Sequence, residues 1–107
     1  MQSQVLSERH RLLVEAVVDL FLAPANQQAV LTRDQFYEQF SGRVASTPRL
    51  RLYWSFSRDA DGKTQSDELQ EDLRHLHHRG YVFLSRNPHI VPTHKALMAL
   101  GRHPVWR

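Results

Sequence analysis

A chain of 107 residues, 41% hydrophobic and 23% charged, is long enough for one small globular domain with a single core. The absence of cysteine excludes a disulfide scaffold and cysteine-ligated zinc, and it fits a reducing, cytoplasmic location. The net charge of +3 is unevenly spread: acidic residues exceed basic ones by five to three in residues 1–40, whereas basic residues exceed acidic ones by eleven to six in residues 41–107. The basic C-terminal part suits a polyanionic partner, although a solvated basic surface explains it equally well.

No segment of the sequence is typical of a membrane protein. The longest apolar run, within residues 12–23, contains Glu15 and Asp19 and is too short to span a bilayer. The first residues lack the basic region of a secretion signal. We therefore expect no membrane partner.

The first predicted helix runs from Ser7 to Leu22, with Ser7 as its N-cap. Its apolar residues recur at helical spacing and form one stripe, as expected of a central core helix. Val17, Val18 and an exposed Val14 make this stripe wider than a core face requires. We therefore expect a homodimer formed through this helix or through the C-terminal segment.

The second predicted helix runs from Thr32 to Phe40. Thr32 and Gln35 have the spacing of a capping box, and Ser41-Gly42 is expected to end the helix. The residues just before it, 29–31, are apolar enough to form a very short strand.

Two patterns compete in residues 43–65. Thr47-Pro48 is typical of a helix start, whereas the alternation of apolar and polar residues over 50–56 is typical of a strand. We favour a short helix because of the start signal. A turn is expected over Asp59–Lys63, where Asp59 precedes the Asp61-Gly62 pair by two residues.

The clearest sequence of elements lies in residues 66–100. Leu69, Leu73 and Leu76 recur at i, i+4 and i+7 and predict a helix with one narrow apolar face, which Gly80 ends. An apolar strand over 81–84, turn chemistry and a second strand from His89 then predict a β-hairpin, and a capped helix follows.

This order resembles the second half of a winged-helix domain of the MarR and PadR kind. The resemblance rests on the three leucines, on Gly80-Tyr81-Val82, on the turn Arg86-Asn87 and on Thr93, which opens the next helix. It implies a mainly α fold with a small β-hairpin, in the α+β class. The segment of about 25 residues between the second helix and the presumed recognition helix departs from a simple helix-turn-helix, whose turn has roughly three or four residues. It indicates either an extra helix or a wrong assignment of the second helix.

The resemblance implies binding to double-stranded DNA, as in a transcriptional regulator or a plasmid or phage control protein. With the leucines inward, Gln70, Arg74 and His78 lie on the opposite face, where arginine and glutamine can contact guanine and adenine edges. The remaining candidates for contacts to the DNA backbone are Arg49, Arg51, Lys63, Arg86 and Asn87.

Four carboxylates oppose this interpretation. Asp67, Glu68, Glu71 and Asp72 crowd the N-terminal half of the helix, where such helices usually contact DNA. They also have a simpler role, because they favour the helix dipole and pair with basic residues one turn later. The alternative is a winged-helix protein-interaction module or inhibitor whose acidic helix contacts a basic protein partner.

Metal and catalytic motifs are weak. Residues 57–68 resemble a calcium-binding EF-hand loop, with Asp59, Asp61 and Glu68 at ligand positions, but Ser57 occupies the first position, where that family has a carboxylate. His75 and His78 could chelate a metal together, yet no third ligand accompanies them. No nucleophile elbow, phosphate loop or paired-acid motif is present, so we expect neither a cofactor nor an enzyme.

Overall fold

The computed structural model describes residues 6–23, 31–84 and 89–101. Within these ranges the chain is mainly helical and carries two small antiparallel sheets of two strands each, which is an α+β arrangement. The elements in chain order are α1 (Glu8–Leu22), α2 (Arg33–Ser46), α3 (Pro48–Arg51), β1 (Ser57–Arg58), β2 (Thr64–Gln65), α4 (Asp67–His78), β3 (Val82–Leu84), β4 (Ile90–Pro92) and α5 (His94–Ala99). No helix in the described ranges is long and apolar enough to cross a membrane.

Helix α1 is the centre of the core. The Ser7 hydroxyl accepts a hydrogen bond from the His10 amide, which confirms the predicted cap. The helix packs against α2, β4 and α5. Val14, Val17 and Val18 are all fully buried by these neighbours. The predicted exposure of Val14 is therefore wrong, and the wide stripe gives no reason to expect a second copy of the chain.

Helix α2 begins as predicted and ends later than predicted. Thr32 and Gln35 form the complete capping box. The helix continues through Gly42 to Ser46, because Val44 is buried and holds one more turn against the core. The predicted end at Ser41-Gly42 is wrong. The helix stops where Pro48, which lacks an amide proton, disfavours a helical conformation for Thr47.

The segment between α2 and α4 contains the short helix α3 and the β1–β2 hairpin. The helix confirms the start signal at Thr47-Pro48, and the alternating pattern over 50–56 does not give a strand. In the hairpin, Ser57 pairs with Gln65 and Arg58 pairs with Thr64. The expected turn is confirmed, because the Asp59 carboxylate accepts hydrogen bonds from the amides of Asp61 and Lys63.

Helix α4 leads directly into the β3–β4 hairpin. Ser66 caps the helix by accepting from the Leu69 amide, and Gly80 follows its end with φ of +84°, which suits a residue without a Cβ. The hairpin is antiparallel, with Phe83 opposite Val91. The Ile90 amide donates to the Leu31 carbonyl at 3.0 Å, so this hairpin is joined to the chain just before α2.

The core lies between α1, α2, α4 and the β3–β4 hairpin. The predicted inward face of α4 is confirmed, because Leu69, Leu73 and Leu76 are no more than 3% exposed. Helix α2 contributes aromatic residues to this core, since Phe36 and Phe40 stack with ring centroids 5.3 Å apart and are fully buried. The aromatic cluster extends to Trp54, whose ring lies edge-on to Phe40 at 5.1 Å.

Candidate nucleic-acid interface

Helix α4 presents one continuous exposed row of side chains. Gln70, Arg74 and His78 are exposed and follow one another at intervals of four residues, opposite the buried leucines. Residues at this spacing lie on one face of a helix. The structure therefore brings together the three side chains that the sequence analysis assigned to base contacts.

Asp72 does not belong to this exposed surface. It is only 8% exposed, and its Oδ2 accepts hydrogen bonds from Arg9 Nε at 2.6 Å and from the Trp54 indole nitrogen at 2.8 Å. The guanidinium also lies over the Tyr53 and Trp54 rings. The arginine balances the carboxylate charge and the indole satisfies a further lone pair, as a buried charge requires. One of the four opposing carboxylates is thus removed from the outer face.

The other three acidic side chains of α4 remain exposed. Glu68 is turned towards the preceding segment, where the Ser66 and Ser55 hydroxyls donate to it at 3.1 and 3.4 Å. Backbone and serine hydrogen bonds, the first from its own amide, hold the Glu68 pKa below its usual value. Glu71 pairs with Arg74 at 3.4 Å, as the i, i+3 spacing predicted. The acidic character of the face is therefore concentrated at Asp67 and Glu71.

The C-terminal end of α4 is basic, through two residues that the sequence analysis did not select. Arg79 and Lys95 both lie over the ring of the buried Tyr81. The Arg79 guanidinium carbon is 5.4 Å and the Lys95 ammonium nitrogen 4.6 Å from the ring centroid. Lys95 Nζ also donates to the Arg79 carbonyl at 2.8 Å. These cations gather only because Gly80 and Thr93 bring the start of α5 beside the end of α4, where the Thr93 hydroxyl donates to the Gly80 carbonyl. Spacing along the chain gives no signal for that contact.

The predicted backbone-contact residues lie outside α4. Arg49 forms an ion pair with Glu8, Arg51 donates to the Ala45 carbonyl, and Lys63 pairs with Asp34 at 3.4 Å. All three are exposed, so these surface pairs contribute about 0–1 kcal/mol each and can be exchanged for phosphate. Arg86 and Asn87 lie outside the described residues.

Two histidines of α4 contact neighbouring elements of the fold. His77 is half-buried, and its Nδ1 lies 3.2 Å from the Leu84 amide and 3.3 Å from the Val82 carbonyl oxygen, which ties α4 to β3. His75 stacks on His10 of α1, with ring centroids 4.9 Å apart and an angle of 24° between the planes. Burial, opposed by the nearby Asp72 carboxylate, lowers the His10 pKa below its usual value.

The histidines and carboxylates of the described residues form no group of three or more that could hold a metal ion. The EF-hand-like residues 57–68 belong to the β1–β2 hairpin and to the start of α4 rather than to a loop between two helices. The Asp59 carboxylate is used inside the turn, where the Lys63 amide is the main cause of its lowered pKa.

The functional assignment rests on the geometry of α4 and not on similarity to a known protein. No family model, curated protein or solved structure matches this chain.

Proposed function

We propose that this chain is a winged-helix protein that binds double-stranded DNA, with the exposed row of α4 in the major groove and the β3–β4 hairpin as the wing. The observation that carries the proposal is the division of α4 into a fully buried leucine face and an exposed face with Gln70, Arg74 and His78. An α-helix fits the major groove, and arginine and glutamine are suited to base edges.

The order of elements supports the winged-helix assignment. A helix, a single bridge between Thr32 and His89, two further helices and a β-hairpin follow one another, as in that superfamily. The short helix α3 and the β1–β2 hairpin are then an insertion before the recognition helix. The alternative that α2 itself is wrongly assigned loses its support, because α2 has its predicted cap and buries Phe36 and Phe40 in the core.

The charge distribution defines how the helix would approach DNA. The N-terminal half of α4 carries Asp67 and Glu71, whereas the C-terminal half and its surroundings carry Arg74, Arg79 and Lys95. Phosphate is attracted to the second group and repelled by the first. We infer that the C-terminal half of α4 and the wing approach the duplex most closely, with Arg86 and Asn87 of the wing on its backbone.

Fluorescence anisotropy with a labelled duplex of random sequence at low salt tests the proposal. Arg74→Ala is expected to weaken binding to this random duplex about tenfold at low salt, the loss expected when one cation no longer meets a phosphate. Arg43→Ala is the matched control, because Arg43 is a half-exposed arginine of α2 that pairs with Asp19 at 3.7 Å, away from α4. Affinity should fall steeply as salt rises, because bound phosphates release their counterions. The absence of any complex at low salt, or equal losses for the two variants, would contradict the proposal.

A protein-interaction module is the second candidate. Leu52 and Phe83 are 78% and 54% exposed, and such apolar side chains are suited to a protein partner. The acidic start of α4 would then contact a basic partner protein. Lack of duplex binding together with salt-sensitive binding to a basic protein would favour this function.

We further propose that the protein regulates transcription and that it binds DNA as a homodimer. A dimer would read two half-sites, but within the described residues the α1 stripe is already covered by the chain itself. Sedimentation equilibrium showing a monomer at micromolar concentration, with and without duplex, would exclude the dimer.

A further inference from the structure

A groove lies between α1 and the C-terminal half of α4. It has a volume of about 370 Å³ and is lined by His10, Glu71, Asp72, Arg74, His75 and His78. Four of these six side chains are cationic or become cationic on protonation. Two belong to the exposed row assigned to DNA, while His10 comes from a different helix and has no part in that assignment.

The Asp72 carboxylate lies in the groove, but its negative charge is compensated. Both polar contacts of the Asp72 Oδ2 atom are made by Arg9 and Trp54, and its Oδ1 atom lies 3.6 Å from His10 Nε2. The arginine neutralises the charge of the carboxylate. The remaining acid is Glu71 at the rim, which shares its charge with Arg74 at 3.4 Å.

We propose that this α1–α4 groove is a phosphate-binding site that gains affinity when His10 and His75 take up protons. The ligand chemistry is a phosphate oxyanion, supplied either by the DNA backbone or by a free phosphate compound. This inference rests on the proposed function only where the phosphate belongs to the DNA backbone. Binding of a free phosphate compound does not depend on it. Arg74 provides a permanent charge, and the stacked imidazoles provide two further donors in the protonated state.

The surroundings of His10 explain why an anion is needed to protonate the pair. Burial is the largest cause that disfavours a positive charge on His10, and the charges of His75 in α4, Arg79 just after α4 and Arg9 on its own helix add to it. Asp72 is the one nearby group that favours this charge, and Arg9 already occupies that carboxylate. The two stacked rings, whose centroids lie 4.9 Å apart, repel each other when both are protonated, and an anion beside them offsets this repulsion.

Binding and protonation must then depend on each other. Phosphate that binds beside the protonated pair raises the pKa of His10, and acidification through the histidine range strengthens the binding of a phosphodiester, whose charge is constant over that range. A rise of about one pKa unit in one imidazole corresponds to about tenfold tighter binding to its protonated form.

Histidine ring resonances followed by NMR during a pH titration provide the test. The full-length protein is titrated in sodium phosphate and, separately, in sodium chloride of the same ionic strength. The pKa of His10 is expected to be higher in phosphate by about half a unit or more, which is about a threefold effect on affinity. The ring resonances of His75, which stacks on His10, are expected to respond to phosphate as well. His89, which lies at the bridge to Thr32 and outside the groove, is the internal control and should not respond. An unchanged His10 pKa in phosphate would overturn the proposal.

Two substitutions with the same change in charge separate a defined site from general electrostatic attraction. Glu71→Gln removes the carboxylate at the groove rim and should tighten phosphate binding, whereas Asp67→Asn removes an exposed carboxylate of the same helix outside the groove and should leave it unchanged. Equal effects would overturn the site. His10→Gln should abolish the phosphate-dependent shift of His75, and a shift that persists in this variant would also overturn it.

The duplex measurement distinguishes the two sources of phosphate. If inorganic phosphate shifts His10 and His75 but no duplex binds, the groove site stands, its ligand is a free phosphate compound, and the proposed DNA function fails. If the duplex binds equally well to the His10→Gln protein at acidic pH and phosphate shifts neither histidine, the DNA function stands and the groove site fails.

Discussion

Replacing Asp72 with alanine should lower the free energy of unfolding by about 3 kcal/mol, because two charge-assisted hydrogen bonds of about 1.5–3 kcal/mol each are lost. The Arg9 contact contributes at the low end of this range, since the arginine side chain is 35% exposed and rehydrates. The Trp54 contact contributes more, since the indole is 2% exposed and its N–H would keep no acceptor. A loss of about 3 kcal/mol lowers the melting temperature of a domain of this size by roughly 10–15 °C.

Urea unfolding followed by circular dichroism measures this loss. Asp67→Ala is the matched control, because Asp67 is an exposed carboxylate of the same helix, and we expect it to cost less than about 1 kcal/mol. Asp72→Asn separates the ionic from the neutral contribution, since the amide oxygen can still accept from Trp54 but carries no charge for Arg9. Equal midpoints for Asp72→Ala and Asp67→Ala would refute the assignment of Asp72 as a buried anchor of α4.

Three further substitutions have expected outcomes that follow from the surroundings of single residues. Gly80→Ala should destabilise the protein by about 1–2 kcal/mol, because φ is +84° while the added Cβ meets only Lys95 Cδ at 3.8 Å. Gly42→Ala, inside α2 and in open space, should stabilise it by up to about 1 kcal/mol, and thermal shifts of the same sign would contradict this contrast. The lowered Asp59 pKa contributes stability at neutral pH that is lost as the pH falls through the folded-state value, below about 3.9. The stability difference between wild type and Asp59→Asn should therefore shrink on acidification, and a difference independent of pH in urea titrations would contradict it.

The elements predicted correctly are those that local sequence determines. Thr32 with Gln35 and Ser66 with Leu69 are contacts between residues three apart, so capping geometry is visible in the sequence. The spacing of the three leucines likewise determines which face of α4 is buried. Gly80 after the helix acts as expected because a positive φ is needed there.

The errors concern the surroundings of a helix, which local patterns do not contain. Val14 was predicted to be exposed because it lies beside the main stripe, yet α1 is enclosed by α2, β4 and α5 and buries it completely. Ser41-Gly42 has the composition of a helix end, but a tertiary contact of Val44 outweighs the cost of a glycine inside α2.

The same limit applies to the candidate site. Asp72 was counted with the surface acids, and its partner Arg9 lies 63 residues away in the chain, so its neutralisation is invisible to any spacing rule. Lys95 and His10 are missed for the same reason, because only the fold places them beside α4, whereas Arg79 is the C-cap of α4 and its position is visible in the sequence.

In the proposed winged-helix arrangement, the segment between α2 and α4 is an insertion that takes the role of the short turn in a simple helix-turn-helix, which is to orient the second helix on the first. Trp54 is the connecting residue, since its ring packs edge-on against Phe40 of α2 and its N–H donates to Asp72 of α4. Leu50 and Trp54 are only 6% and 2% exposed, so the insertion contributes side chains to the core and is not an appendage on the surface. The angle of the proposed recognition helix therefore depends on packing and on one buried carboxylate rather than on the length of a loop.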